Sequence, residues 1–376
     1  MTRRGVALLR VVHGRPGLTR ADAARAVGIG TGAASEEVAR LVEAELLAEV
    51  QAAPSGARGR PTRALVPHPA GPLVLAAAIA HESWRLAAVE LGGRVVDSVE
   101  AAHAGGSPGP VLEPVAEAVD ALRHRYSGRI RGLGISVPGT VIDGHRVDAV
   151  ALGWRDVDLR DAFPATGRLL VGNDATLAAV AEARRGAARH AALAVHLHID
   201  AGLGGAIVDH GRVIAGARGI AGEFGHMPFG DPAVLCPCGA HGCWGASLDG
   251  TAMARLLGVA EPPEPVRYAR EVIGRATAGD PAAVRAVAEV ATVLGRGLAG
   301  LANGLDPDLF TIGGLGPQIR AAADEPLRVA YLAGLMGVRR DRPPSVEPAG
   351  LGGSGPIVGA AELVWDDFFA TAPRPI

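Results

Sequence analysis

The residues best suited to chemistry lie close together. His226 is followed by Cys236-Pro237-Cys238-Gly239-Ala240-His241-Gly242-Cys243, and these three are all the cysteines of the chain. A soft divalent ion in a structural site takes four nitrogen or sulfur ligands. One imidazole and a C-x-C-x4-C set of thiolates supply that number on a Gly-rich stretch able to turn around an ion. Cysteines scattered at random would not all fall within one such stretch. His226, Cys236, Cys238 and Cys243 are therefore predicted to hold a structural zinc.

A second group carries oxygen and nitrogen. Asn173-Asp174 follows a predicted strand over 168–171 and opens an Ala-rich helix. An amide and a carboxylate at such a junction can donate to and accept from neighbouring hydroxyls, although Asn or Asp there also serves simply as a helix N-cap. Glu223 and His226, three residues apart, could add an acceptor and an imidazole. Gly-rich turns recur at Gly92-Gly93, at Asp200-Ala201-Gly202-Leu203-Gly204-Gly205-Ala206 and at Gly313-Gly314. Such turns form for conformational reasons alone.

The elements that must position these groups read as α/β from about Pro69 onward, with apolar strand-like runs alternating with Ala-rich helices. Runs 73–79, 86–91 and 94–100 form a meander, 111–126 a helix, and 130–137 a strand leading into Pro138-Gly139. Long helices are expected over 265–278 and 281–301 as core and dimer surface, with a final helix over 357–369 docking back on the first α/β unit. Residues 1–66 differ. Val6, Leu8, Leu9 and Val12 mark one helix, Thr19 caps a second over 20–27, Gly28-Ile29-Gly30 turns the chain, and a third helix runs from about Gly32 to Leu46. This is a helix-turn-helix pattern whose third helix would enter a major groove. A strand over 46–50, a basic turn and a returning strand over 64–66 make a wing. Residues 1–68 hold ten arginines against six carboxylates, the charge expected of a DNA-reading head.

Glu223-x-Gly225-His226 followed by C-x-C-G-x2-G-C resembles the signature of the ROK family of sugar kinases and sugar-responsive repressors. The resemblance implies an actin-like, ribonuclease-H-like two-domain sugar kinase fold preceded by a winged helix-turn-helix domain: 1–68, then 69–185 with the C-terminal helix 357–370, then 186–356 with the zinc loop. It implies sugar contacts from Asn173, Asp174, Glu223, His226 and Gly139. It matches Arg60 to the wing arginine that enters a minor groove, with Arg58 and Arg63 on phosphates; Arg20, Thr31 and Ser35 complete the predicted DNA contacts. Glu36 and Glu37 depart from the basic or hydroxyl residues usual at the start of that third helix, and would repel phosphates or accept from cytosine amino groups.

The kinase chemistry does not carry over. In the first nucleotide turn of such kinases an Asp, a Gly pair and a Thr face the phosphates; the matching residues here are Ala78, Ala80 with His81, and Glu82. In the second turn Ala201 replaces a phosphate-binding Thr. Cys243-Trp244-Gly245 also lacks the carboxylate that usually ends the zinc loop, and Trp244 would either stack on a sugar face or fill the core. No catalytic residue is expected, because phosphoryl transfer rests on positioning and charge neutralisation.

The leading expectation is a DNA-binding regulator, a repressor, that senses a sugar or sugar phosphate, binds a double-stranded operator as a homodimer or homotetramer, and lacks enzymatic activity. The alternatives are an ATP-dependent sugar kinase and a ligand-blind DNA-binding scaffold. The 376 residues carry a net charge of −2 and contain no lysine, which excludes Schiff-base chemistry and a Walker lysine. Aromatics make up only 3 %, too few for a base-stacking single-strand binder. No apolar run approaches the ~18 residues of a membrane span. Met1-Thr2-Arg3-Arg4 leads into an amphipathic stretch rather than a signal peptide, so a cytoplasmic location is expected.

Overall fold

The computed structural model of the chain describes residues 1–51 and 63–371. Hydroxyl caps lay out its first helices. Thr2 accepts from the Gly5 amide to open α1 (Arg3–Gly14). Thr19, at the end of the short strand β1 (Leu18–Thr19), accepts from the Asp22 amide to open α2 (Arg20–Val27). Gly28 closes α2 at a φ of 73°, and α3 (Thr31–Glu43) follows. It stops short of the expected Leu46 because Glu45 turns left-handed, at a φ of 53°. β2 (Leu47–Gln51) then pairs antiparallel with β3 (Arg63–Pro67), and β1 adds to the other side of β3. Arg58 and Arg60 lie outside the described residues.

The first large sheet is built from β4 (Leu73–Ile79), β5 (Ser83–Glu90) and β6 (Val95–Ala102), then α4 (Pro108–Arg125) and β7 (Ile130–Val137). A small antiparallel sheet of β8 (Thr140–Ile142), β9 (Arg146–Ala149) and β10 (Trp154–Asp158) follows, which the sequence reading missed. A one-turn α5 (Leu159–Ala162) leads to β11 (Leu169–Asn173) and α6 (Asp174–Arg185). The sheet order is β11-β7-β4-β5-β6. β4 is apolar throughout because both its faces are covered. Leu73, Leu75, Ala77 and Ile79 meet α4, whereas Val74 and Ala76 join a different core.

The second sheet has the order β14-β13-β12-β15-β16. β12 (Leu193–Asp200) and β13 (Gly202–Asp209) form a hairpin, with β14 (Arg212–Val213) outside it. After the Cys-rich loop come α7 (Gly250–Leu256), α8 (Pro265–Thr277), α9 (Pro281–Leu305), β15 (Leu309–Gly314), α10 (Gly316–Ala322), α11 (Asp324–Gly334), α12 (Gly337–Arg340), β16 (Ser345–Pro348) and α13 (Gly355–Thr371). Val195, Leu197 and Ile199 of β12 point into the core formed with α8 and α9, so His196 and His198 lie on the opposite face.

α6 packs on α13 and β11 and also on β12 and β13, which places it at the junction of the two sheets. α13 lies across β4 and β7. Its Trp365 and Phe369 share one apolar cluster with Leu8, Leu9 and Val12 of α1 and with Val74 and Ala76 of β4. The core beneath the N-terminal helices is thus continuous with that of the first sheet. No helix among the described residues is long and apolar enough to cross a membrane. Trp365 is fully buried at the centre of this shared cluster, so Trp365→Ala should cost about 3–5 kcal/mol in urea unfolding of the full chain.

Candidate functional site

The Cys-rich segment is a tight loop held by backbone bonds. Cys236 N donates to Ala240 O (2.8 Å), Gly242 N to Val234 O (3.0 Å) and Gly230 N to Gly242 O (2.9 Å). This turns the ligand atoms of His226, Cys236, Cys238 and Cys243 inward until all four lie within 4.8 Å of one another. Cys238 Sγ is 3.6 Å from Cys243 Sγ, and Cys236 Sγ is 3.9 Å from His226 Nδ1. A tetrahedral ion with metal–sulfur bonds of ~2.3 Å needs ligand separations of ~3.6–3.8 Å. The donor set therefore fits a soft divalent metal. Burial and the neighbouring sulfurs push the Cys243 thiol up to about 12, whereas a hydrogen bond from the Ala240 backbone lowers that of Cys238.

The Asn173-Asp174 junction serves both of its readings. Asn173 Oδ1 accepts from Thr176 N (3.0 Å) as the N-cap of α6, while its Nδ2 donates to Gly139 O (3.1 Å). Asp174 Oδ1 accepts from Ala175 N (2.7 Å) and is otherwise turned toward β13. Burial raises its carboxyl to about 6, against the lowering effect of His198. Glu223 and His226 are half-exposed, with the carboxylate 3.9 Å from His226 Nε2. His226 thus presents Nδ1 to the thiols and Nε2 to Glu223 and solvent.

β13 brings these pieces together. A Cβ on Gly204 would stand 2.8 Å from Ala175 Cβ, and one on Gly205 2.6 Å from the ring of Phe224. The strand can lie between α6 and the Glu223–His226 turn only because side chains are missing there. Gly245 is backed against the same strand, since a Cβ there would be 3.0 Å from Leu203 N. Trp244 points away from this region. It is fully buried, donates from Nε1 to Val293 O (3.2 Å) and meets Phe229 edge-on, so it fills the core.

The turns expected to face a nucleotide are occupied by carboxylates. Glu82 was expected to face the nucleotide as a free negative charge; instead it reaches across to the second lobe. Its Oε1 accepts from Val266 N (2.8 Å) and its Oε2 from Arg267 N (3.1 Å), capping α8. An anion at a helix N-terminus is favourable, which explains its placement. At the opposite turn Asp200 lies beside Gly314, where a Cβ would approach Asp200 Oδ1 to 2.9 Å.

The sequence pattern of the ROK family matches residues 80–367. The chain belongs to the ROK family. It is 32 % identical over 251 residues to a glucokinase of Halalkalibacterium halodurans, covering 61 % of this chain and 76 % of that protein. It is also 27 % identical over 179 residues to the xylose repressor of Bacillus subtilis, covering 48 % of this chain and 46 % of the repressor. Among solved structures, a ROK glucokinase of Streptomyces griseus in complex with glucose and AMPPNP superposes with a TM-score of 0.67 at 28 % identity, covering 78 % of this chain and 99 % of that one. A ROK transcriptional regulator, a homologue of the E. coli MLC protein, superposes with a TM-score of 0.72 at 22 % identity over 97 % of both chains. The N-terminal helices and small sheet therefore have counterparts in a second ROK fold.

In this ROK chain the predicted DNA contacts are distributed unevenly. Thr31 is exposed and Ser35 half-exposed on α3. Arg20 is held by Glu49 in a two-pronged pair (2.5 and 2.6 Å), and Arg63 lies 3.6 Å from the same carboxylate. The expected pair of repelling carboxylates is reduced to one. Glu37 is buried and accepts from Arg40 (2.8 Å), whereas Glu36 stays exposed.

Sequence reasoning missed a buried charge pair in this ROK fold. His198 Nε2 lies 3.2 Å from Asp200 Oδ2, and His196 Nδ1 lies 2.9 Å from Thr311 Oγ1. The alternation in His196-Leu197-His198 would have put both rings on one strand face. Burial lowers the two imidazoles. It wins at His196, which falls to about 3, and loses at His198, which Asp200 and Asp174 raise to about 9. A histidine raised from 6.5 contributes stability that is complete below pH 6.5 and lost as pH rises through about 9. Urea unfolding should weaken by up to about 3 kcal/mol across that window, and His198→Gln should flatten the dependence.

Proposed function

We propose that the chain is a DNA-binding transcriptional regulator, a repressor, whose kinase-derived body senses a sugar or sugar phosphate without transferring phosphate. The observation that carries this reading is Glu82. The residue at the phosphate-binding position is a carboxylate engaged with the amides of Val266 and Arg267. A second carboxylate, Asp200, stands beside the other nucleotide turn. A phosphate at the first turn would meet the Glu82 carboxylate rather than a positive or hydroxyl group at that position, whereas His198 already pairs with Asp200 at the second. The region before residue 80 supports the regulator, because kinases such as the Streptomyces griseus enzyme cover only 78 % of the chain.

In this reading Asn173, Asp174, Glu223 and His226 bind the hydroxyls of the effector, with Gly139 fixed below Asn173. Zinc on His226, Cys236, Cys238 and Cys243 supplies a structural cross-link that fixes the Glu223–His226 turn. The N-terminal winged helix-turn-helix reads double-stranded DNA with Thr31 and Ser35 of α3 and with the wing, where Arg60 enters the minor groove and Arg58, Arg63 and Arg20 serve the backbone. A homodimer in the cytoplasm would present two such heads to paired half-sites. The 32 % identity to a glucokinase supports a second reading, ATP-dependent phosphorylation of a hexose.

A coupled assay with ATP, Mg2+ and D-glucose separates the two readings. Turnover above background that disappears in Asp174→Asn would overturn the regulator without activity. Thermal shift with D-glucose, D-xylose and their phosphates should give a ligand-dependent rise that Asp174→Ala abolishes. Metal analysis should return one zinc per chain, and Arg60→Ala should weaken duplex binding ten-fold or more in a mobility-shift titration.

A further inference from the structure

The N-terminal helices meet the body at a buried charge that neither the sugar residues nor the DNA contacts use. Glu362, on α13, is almost fully buried, with its side chain 3 % exposed. Three donors from two other helices, α6 and α1, converge on it. Arg185 Nε donates to Oε1 (2.6 Å), Arg184 Nη1 to Oε2 (3.1 Å), and His13 Nε2 to Oε2 (3.1 Å). Burial alone would raise this carboxyl, but His13 and the two guanidinium groups hold it down at about 2. His13 belongs to α1. Its Nδ1 accepts from the Gly92 amide (3.0 Å), and its Nε2 lies between Glu362 Oε2 and Arg185 Nη2 (3.0 Å).

Arg185 completes the joint. Its Nη1 donates to Gly92 O (2.7 Å) and its Nη2 to His13 O (3.3 Å). The same turn supports the N-terminal region sterically, since a Cβ on Gly92 would stand 3.0 Å from both Pro16 and Pro67. One guanidinium thus touches α1, the β5–β6 turn and α13. Arg184 and Arg185 are the last residues of α6, and Asp174 is the first. The two ends are about 16 Å apart along one helix. A carboxylate at one end faces the candidate ligand site, and two cations at the other end grip the joint.

We infer that Glu362, His13, Arg184 and Arg185 form a clamp that sets the placement of the N-terminal DNA-reading region on the body, and that α6 couples this clamp to the ligand end at Asp174. The coupling builds on the sugar-sensing reading, but the clamp stands apart from it. A helix is stiff along its axis, and a buried carboxylate with three donors has few alternative arrangements. A small movement or rotation at Asp174 must therefore be absorbed at Arg185, where it trades bonds between Glu362, Gly92 and His13. Arg10 over the Phe369 ring at 5.3 Å, and His13 against Phe369 at 5.3 Å, carry the same contact on the apolar side.

Hydrogen exchange on the full chain tests both parts without a ligand. In Glu362→Gln, the Gly92 amide and the amides at the end of α1 should exchange at least ten-fold faster, while β12 and the Cys-rich loop keep their protection. His13→Gln removes one arm without stranding Glu362 and should do the same should Glu362→Gln unfold globally. Unchanged exchange at Gly92 and α1 in both variants overturns the clamp. Asp174→Asn should alter exchange at Gly92 in the native background and have no further effect in the Glu362→Gln background. An effect that is absent, or the same in both backgrounds, overturns the coupling, since a merely structural clamp would not communicate with Asp174. A separate arm adds D-glucose or D-xylose. Silence there, with the variant coupling intact, rejects the sugar-sensing reading and leaves the clamp standing.

Discussion

The candidate site depends on the close approach of backbones over one bare strand. β13 carries Gly204 and Gly205 where α6 and the Phe224 turn press on it, and a methyl group at either position would collide with Ala175 or Phe224. Gly245 closes in on Leu203 from the Cys-rich side. With those side chains absent, the Asp174 end of α6 and the Glu223–His226 turn both fall against the same few residues of β13. The Cys-rich loop adds a second tie, through Trp244 N to Met227 O at 2.8 Å. A glycine pattern that looks like a phosphate cradle is here spent on packing.

On that scaffold the charges take partners inside the protein. Glu82 satisfies the exposed amides of α8 and joins the two lobes, and Asp200 is held by His198 beside the opposite turn. Both carboxylates have partners inside the protein, so neither depends on an external cation for its stability. Asp174 and the Glu223–His226 pair, by contrast, offer hydrogen-bond acceptors and an imidazole.

The architecture was largely legible. β4 and β7 were read to the residue, and the final helix was expected on the first sheet, because apolar runs with a period of two or 3.6 record which faces are covered. The small β8–β10 sheet escaped, since its three short strands are half-exposed and carry charges at Arg146, Asp148 and Asp156. The cluster of His226 with the three cysteines was legible because cysteine is rare and all three fall within one short stretch. The role of Trp244 was left between stacking and packing, since an aromatic residue beside a cleft reads the same either way until its neighbours are known.

The sequence by itself determined the residue types and their spacing: a histidine and three cysteines within one short stretch, an amide and a carboxylate at a helix start, and a carboxylate at position 82. These are facts of residue type and local spacing. The tertiary structure alone decided which partners the remaining charges take. Glu82 finds the start of α8 about 180 residues later in the chain, and Glu362 finds His13 some 350 residues earlier. Pairing across such separations leaves no periodic trace in a single sequence. Burial makes each of these carboxylates costly until its donors arrive, and only the folded chain brings them.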